Sequence, residues 1–500
     1  RVTEMSGKYK AVASSAITNG KPVFVHTDGT VKQVSETTTN INESLASEVT
    51  WHSSSGAYPR SAVFVPIQNK IVITYEGNNS DLYSIVCNVA SDGALTFGTA
   101  TKVYSASGFP GGTPKGNGNL VSIGSSKIVA VYQRGNQGMA AVGTISGTSI
   151  SWGSEAEFED SHSSNGEMNP KATYDEEASR LVISYSDKDS SGYGRIKLGT
   201  ISGTSISYSS EITYQNSFDV GNGIVAYDPV AKRIIVTYTD NNSYGRMVAG
   251  TVSSSSISFG SHVVFESAVT TIGNMSAFDN NVNKLLIPIK AHSSNGAGKI
   301  FEVTINTSNN LASTGGAYTF VSPGGNGITS NVLPCVAHFA GTTKSVISYS
   351  VFDDGKDFEY RVATVPANIS WSFSGATDVE AGGTDAGIVV YDSNIGKFVF
   401  FYTDNSDSNK GQARVLQLAT TVVSSNLTSE NFIGIASGGT YPTAAEATID
   451  IVGTVNKDQT SLTAGQTYYV QTDGTLGTSA DDPSVVAGTA ISATELIVKG

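Results

Sequence analysis

The chain has 500 residues, only 15% of them charged, with 53 glycines, 43 acidic against 30 basic residues and a formal net charge of −13. This turn-rich, weakly charged balance is that of an all-β protein. An acidic excess without a basic stripe excludes nucleic acid as a partner, because phosphate binding needs a basic footprint.

No run approaches the ~18 apolar residues of a membrane-spanning helix, so no membrane insertion is expected. The sequence begins at Arg1 with neither a methionine nor a signal-peptide pattern, which leaves an upstream start or a cleavage open. Cys87 and Cys335 fall in different repeats and read as two buried thiols rather than a disulfide.

Residues 1–45 form a short β segment centred on Ile17–Val31, in which alternation around Val23 and Val25 followed by Asp28-Gly29 predicts a hairpin. The stretch from Ser35 to Ser47 is rich in Ser, Thr, Asn and Glu and reads as a linker. Residues 46–425 then carry seven repeats with a period of about 50 to 56 residues.

The third repeat shows the grammar most clearly. A strand ends in Thr173-Tyr174-Asp175, the apolar strand Leu181–Tyr185 follows, and an Asp/Ser/Gly turn leads into a third strand reaching Ile201. A small turn at Ser202-Gly203-Thr204 precedes the fourth strand, Ser205–Tyr208. The phrase Gly143–Trp152 recurs as Gly199–Tyr208 and, degraded, as Gly250–Phe259, while the aromatic-Asp pair recurs at Tyr174-Asp175, Tyr227-Asp228, Phe278-Asp279 and Tyr391-Asp392. In the fifth repeat, Pro288 inside the strand and Ile289 in place of tyrosine weaken the copy.

A four-stranded meander cannot bury its two faces alone, and seven of them suit a seven-bladed β-propeller in which each blade covers its neighbour. A β-sandwich array or a β-helix is the alternative. Tyr75, Tyr132, Tyr185, Tyr238, Tyr349 and Tyr402 at strand ends are expected to serve blade packing, with a binding ring as the alternative.

After residue 425 the composition shifts. Leu462–Leu476 matches Ile17–Val31 in length and shares Thr-Asp-Gly-Thr, so the ends read as two copies of one motif. Residues 1–45 and 426–500 are therefore expected to fold together as one small β-barrel-like domain with the blades inserted in a loop. Two independent small domains are the alternative.

The C-terminal text Leu427–Ala436, with Gly465–Val470 and Val485–Ala490, resembles a module of structural proteins from marine tailed bacteriophages and, more loosely, small capsid-cement β-barrels. The resemblance covers roughly a quarter of the chain. It implies a virion protein on the particle surface, docked to other virion proteins through the small β module and homo-oligomeric, with the propeller inserted between Val34 and Leu427.

The loops joining second and third strands lie at the same end as the interblade connections, and here they are polar. Asp187, Asp189, Tyr193, Arg195, Asp240, Tyr244, Arg246, Asp354, Asp404 and Asp407 form the candidate ligand face, with carboxylates for sugar hydroxyls and aromatic rings for stacking. Turn chemistry explains the same residue types. Asp187, Asp189 and the Asp404/Asp407 pair also offer hard oxygens for calcium, but no loop has the twelve-residue helix-flanked pattern, so neither metal nor cofactor is expected.

For catalysis, Ser217-Phe218-Asp219-Val220-Gly221 lacks the Thr-Trp of a sialidase-type box. Six histidines are scattered without metal spacing, and no nucleophile elbow or phosphate loop occurs. The expectation is no enzyme. The expected function is a virion appendage or fibre displaying a propeller to a host-surface glycan, with a purely structural capsid or tail decoration protein, or a glycan-degrading depolymerase, as the alternatives.

Overall fold

A computed structural model describes residues 7–77, 81–104, 119–160, 167–291, 296–323, 327–329, 332–351, 357–365 and 371–499. The chain divides into two compact units: Ser44–Gln417, and a second made of Arg1–Glu43 with Leu418–Gly500.

The larger unit is a seven-bladed β-propeller. In the third blade the inner strand Lys171–Asp175 pairs with Arg180–Asp187, and that strand pairs with Tyr193–Ser202. The outer lane has two segments, Ser205–Tyr208 and Ile212–Gln215, both hydrogen-bonded to Tyr193–Ser202. Each blade is therefore four lanes wide, with a break in the outer lane of every blade except the fifth.

The local reasons are in the repeat. Aspartate after the aromatic residue ends the inner strand by capping the turn: Asp175 Oδ1 accepts from Ala178 N at 2.8 Å, and Asp228 Oδ1 accepts from Val230 and Ala231 at 2.9 and 2.8 Å. The second strand reads as an unbroken apolar run because blades press on both of its faces, so Leu181, Val182 and Ile183 are all fully buried. Each such side chain contributes roughly 1.5–3 kcal/mol on burial. Gly194, second in the third strand, is a glycine because Tyr214 of the outer lane lies over it; a Cβ there would sit 2.4 Å from the ring.

Apolar clusters join blade to blade around the ring. One combines Val129 and Val142 of the second blade with Leu181 and Ile183 of the third, and another combines Ile235 and Met247 of the fourth with Leu285 and Phe301 of the fifth. The inner strand of the seventh blade, Gly387–Asp392, packs beside that of the first, Tyr58–Val65, which closes the circle.

The seventh blade is a composite. Its first three strands are Gly387–Asp392, Lys397–Asp404 and Lys410–Gln417, while its outer lane is Ser44–Leu45 and Val49–His52 from the other end of the unit. Leu45 pairs with Leu416 and His52 with Gly411, and Trp51 Nε1 donates to Gln412 O at 2.8 Å. The edge that would otherwise stay open is thereby paired. The stretch from Ser35 to Ser47, expected as a linker, is largely strand: Glu36–Ile41 pairs with Thr420–Ser425 in a two-stranded ribbon. All six residues of Glu36–Ile41 are exposed, so the strand carries no apolar alternation to mark it.

The fifth blade keeps its proline. Pro288 lies in the second strand, Lys284–Ala291, and its carbonyl accepts from Gly273 N at 2.8 Å, so its nitrogen, which has no hydrogen, faces the inner lane too. The inner lane breaks there into Thr270–Ile272 and Ala277–Asp279. Residues 274–276 leave the ladder at the break.

The smaller unit contains two five-stranded sheets built to one plan. The first is ordered Lys8–Val12, Glu446–Ile451, Phe432–Ala436, Pro22–Val25, Val31–Gln33. The second is ordered Val455–Asn456, Leu496–Val498, Val485–Ala490, Thr467–Val470, Leu476–Gly477. The matching hairpins use the same turn: Asp28 Oδ1 accepts from Thr30 N and Oγ1 at 2.9 and 2.6 Å, and Asp473 Oδ1 accepts from Thr475 N and Oγ1 at 2.8 and 2.6 Å. A cluster of Phe24 and Val34 with Val470, Val485 and Ala487 packs the sheets together. Between hairpin and third strand the second copy has only residues 478–484, whereas the first copy has the whole propeller.

Candidate functional site

The inner strands surround a channel holding a cavity of about 260 Å³, lined from the first, second, third, fourth and fifth blades by residues including Ser61, Asn119, Lys171, Ile224 and Asn274. Lys171 opens the inner strand of the third blade at the end that carries the second-to-third-strand loops. Equivalent positions, set by pairing with the residue before the second-strand tyrosine, hold Ser61, Ile224 and Cys335.

Lys171 is 7% exposed, and its Nζ donates to Asn274 Oδ1 at 2.9 Å. Asn274 can reach it because the break opposite Pro288 releases residues 274–276 from the ladder, and Asn274 Nδ2 also donates to Arg60 O at 3.3 Å. Arg60 is paired with Glu76. Among the described residues, no carboxylate lies within ion-pairing distance of Lys171. Burial pushes its ammonium group down to about 8, and Arg60 nearby acts in the same direction. Burial likewise raises the neighbouring Cys335 thiol to about 12.

An uncompensated cation in a small polar-ended cavity attracts an anion. The volume lies just below the ~300–1,000 Å³ of drug-sized ligand pockets and fits a group the size of one sugar residue. Sequence reasoning missed Lys171. The available signal was a lysine aligned with Ile224 and Cys335 at a position that is otherwise uncharged.

The residues expected on the loop face occupy separate turns. Asp187 is 5% exposed and accepts from Asp189 N, Ser190 N and Arg195 Nε at 3.1, 3.2 and 3.2 Å. Burial raises its carboxyl, but the bonds from Ser190 and Arg195 outweigh this and hold it below the usual range. Asp240 repeats the pattern with Asn242 N, Tyr244 N and Arg246 Nε at 2.9, 2.9 and 2.6 Å. Asp404 accepts from Ser406 N and Asp407 N at 2.8 and 3.0 Å, and Asp407 holds Lys410 at 2.9 Å. The Arg195 guanidinium stacks 5.7 Å from the centre of the Tyr193 ring. Asp354 lies outside the described residues.

The six tyrosines are buried in the blade packing, at 0–2% exposure. Tyr185 Oη donates to Glu211 of its own blade at 3.1 Å and to Glu159 of the preceding blade at 2.7 Å. Tyr238 meets His262 and Gln215 in the same two places, at 2.6 and 3.4 Å.

No protein-family model matches the chain, and no curated protein is similar to it. Solved structures are. A Lactobacillus plantarum protein is 12% identical with a TM-score of 0.46, covering 76% of this chain and 99% of its own. The periplasmic gluconolactonase of Pseudomonas aeruginosa is 10% identical with a TM-score of 0.45, covering 75% and 97%. An ulvan lyase of a polysaccharide lyase family is 9% identical with a TM-score of 0.44, covering 75% and 98%.

At these identities the likeness is one of fold. The gluconolactonase and the lyase are enzymes carried on a propeller, so the fold gives no support to the expectation of no enzyme. That expectation rested on missing local motifs, whereas catalytic groups on a propeller come from separate blades and leave no such motif.

Proposed function

We propose that this chain is a bacteriophage virion protein whose small β unit docks to other virion proteins and whose propeller binds an acidic glycan of the host surface. The carrying observation is the Lys171 ammonium, buried in the channel without a carboxylate partner on a chain of net charge −13. A uronate or sulfate group seated there would supply the missing negative charge. The virion part rests on the resemblance of Leu427–Ala436 and Val485–Ala490 to phage structural modules, and placement on the particle surface and homo-oligomerisation belong to the same proposal. A duplicated module with the propeller carried in one loop suits display.

The second reading is a glycan-degrading enzyme, favoured by the same amine. A lysine poised near pH 8 is suited to take a proton next to a carboxylate.

Titration calorimetry of the full chain against uronate-containing, sulfated and neutral oligosaccharides tests both. Binding of acidic sugars that is lost in Lys171→Met supports the attachment reading, and shortening of the oligosaccharide supports the enzyme. Equal binding of neutral sugars by the variant overturns the channel site. Absence of all binding, with the propeller buried against neighbouring subunits in a cryo-EM map of particles, leaves the decoration role.

A further inference from the structure

The tyrosine fastener of the seventh blade differs from the others in its charge. Tyr402 Oη donates to Glu48 Oε2 at 2.6 Å, where Glu48 belongs to the closing segment from the N-terminal end of the ring. Glu380, which ends the outer lane of the sixth blade, occupies the place that Glu159 holds beside Tyr185. Asp404 completes the group, and one carboxylate oxygen from each of the three residues lies within 4.8 Å of the others. Asp404 is 4% exposed.

In the third and fourth blades a guanidinium reaches the acid two residues after the tyrosine. Arg195 stands opposite Tyr185 in the strand register and reaches Asp187 at 3.2 Å and Glu211 at 3.0 Å. Arg246 stands opposite Tyr238 and reaches Asp240 at 2.6 Å. Opposite Tyr402 the chain has Gln412. This side chain is 2% exposed, rises from the register position from which the arginines reach their acids, and its Oε1 is buried with no hydrogen-bond partner. Arg414, two residues on, spends its Nε on Ala46 O at 2.9 Å and one terminal nitrogen on Val379 O at 2.8 Å, so it bonds carbonyls beside the acids rather than the acids. Among the described residues, no guanidinium bonds any of the three carboxylates.

We propose that Glu48, Glu380, Asp404 and the Gln412 amide oxygen bind a calcium ion that clasps the closing segment to the sixth and seventh blades. All four donors are hard oxygens, which suits calcium. Its Ca–O distance of about 2.3–2.6 Å puts opposite ligands roughly 4.6–5.2 Å apart, which accommodates three carboxylate oxygens lying within 4.8 Å of one another. Burial above all, with Asp404 and Glu48 adding to it, raises the Glu380 carboxyl.

The test uses the full chain stripped with a chelator. Millimolar calcium is expected to raise the melting midpoint by roughly 2–4 °C and magnesium by much less, and calcium is expected to slow amide exchange in residues 44–52. Gln412→Arg supplies the guanidinium of the third and fourth blades: it is expected to melt at or above the calcium-free wild type and to lose the calcium response. Glu380→Gln keeps the shape and is expected to weaken calcium binding at least tenfold by calorimetry. A wild type that shows no calcium heat and no midpoint shift, or a Gln412→Arg protein that responds as the wild type does, overturns the proposal.

Discussion

Lys171 Nζ donates to Asn274 Oδ1 at 2.9 Å, joining the inner strand of the third blade to the break in that of the fifth. The bond is the amine's compensation for burial, and it is incomplete. Lys171 titrates at about 8 in the fold against an ordinary 10.5. Between those values the unfolded chain binds the extra proton, so stability rises with pH there; below pH 8 the cost is constant, on the order of 3 kcal/mol at most. Lys171→Met should therefore resist urea better than wild type at pH 7, less the bond lost to Asn274. The gap should close between pH 8 and 10.5. Paired urea melts across that range check this, and a gap that does not change with pH contradicts it.

Tyr185→Phe removes the donor shared by Glu159 and Glu211; Glu211 keeps Arg195 at 3.0 Å, but the part-buried Glu159 loses its hydrogen-bond donor. Burial already raises the Glu159 carboxyl, and only the Tyr185 bond and Lys197 oppose this. The expected loss is about 1–3 kcal/mol at neutral pH, shrinking toward pH 4 as the acids take up protons. Tyr132→Phe should cost less, because its partner Glu155 keeps Arg134 at 2.5 Å. Chemical denaturation of both variants at two pH values separates them.

Asp187→Ala and Asp240→Ala should each lower stability by about 1–3 kcal/mol, since each exposes backbone donors and an arginine to the loss of a buried acceptor. Replacing the exposed Asp189 by alanine should stay within about 0.5 kcal/mol. Ligand binding on this face is therefore read only beside a stability measurement of the same variant. A binding loss in Asp187→Ala with an unchanged melting midpoint would show the carboxylate acting on a ligand instead.

Ring closure depends on residues 44–52. A propeller of residues 44–417 should fold cooperatively, whereas residues 53–417 should aggregate, because Lys410–Gln417 then presents an unpaired edge. Far-ultraviolet circular dichroism and gel filtration of the two fragments decide the point.

The sequence by itself determined the repeat, the strand order within a blade, the packing role of the tyrosines and the duplication of Ile17–Val31 in Leu462–Leu476. These are legible because strand alternation, turn residues and repeat spacing are local properties of the chain. Tertiary structure alone decided that Val49–His52 completes the seventh blade, that Pro288 frees Asn274 to meet Lys171, and that Gln412 stands where Arg195 and Arg246 stand in their own blades. Each of these joins residues on different strands, and the Val49–His52 pairing spans nearly the whole ring. No local pattern encodes such a meeting, because it is fixed only when the blades pack face to face and the circle closes.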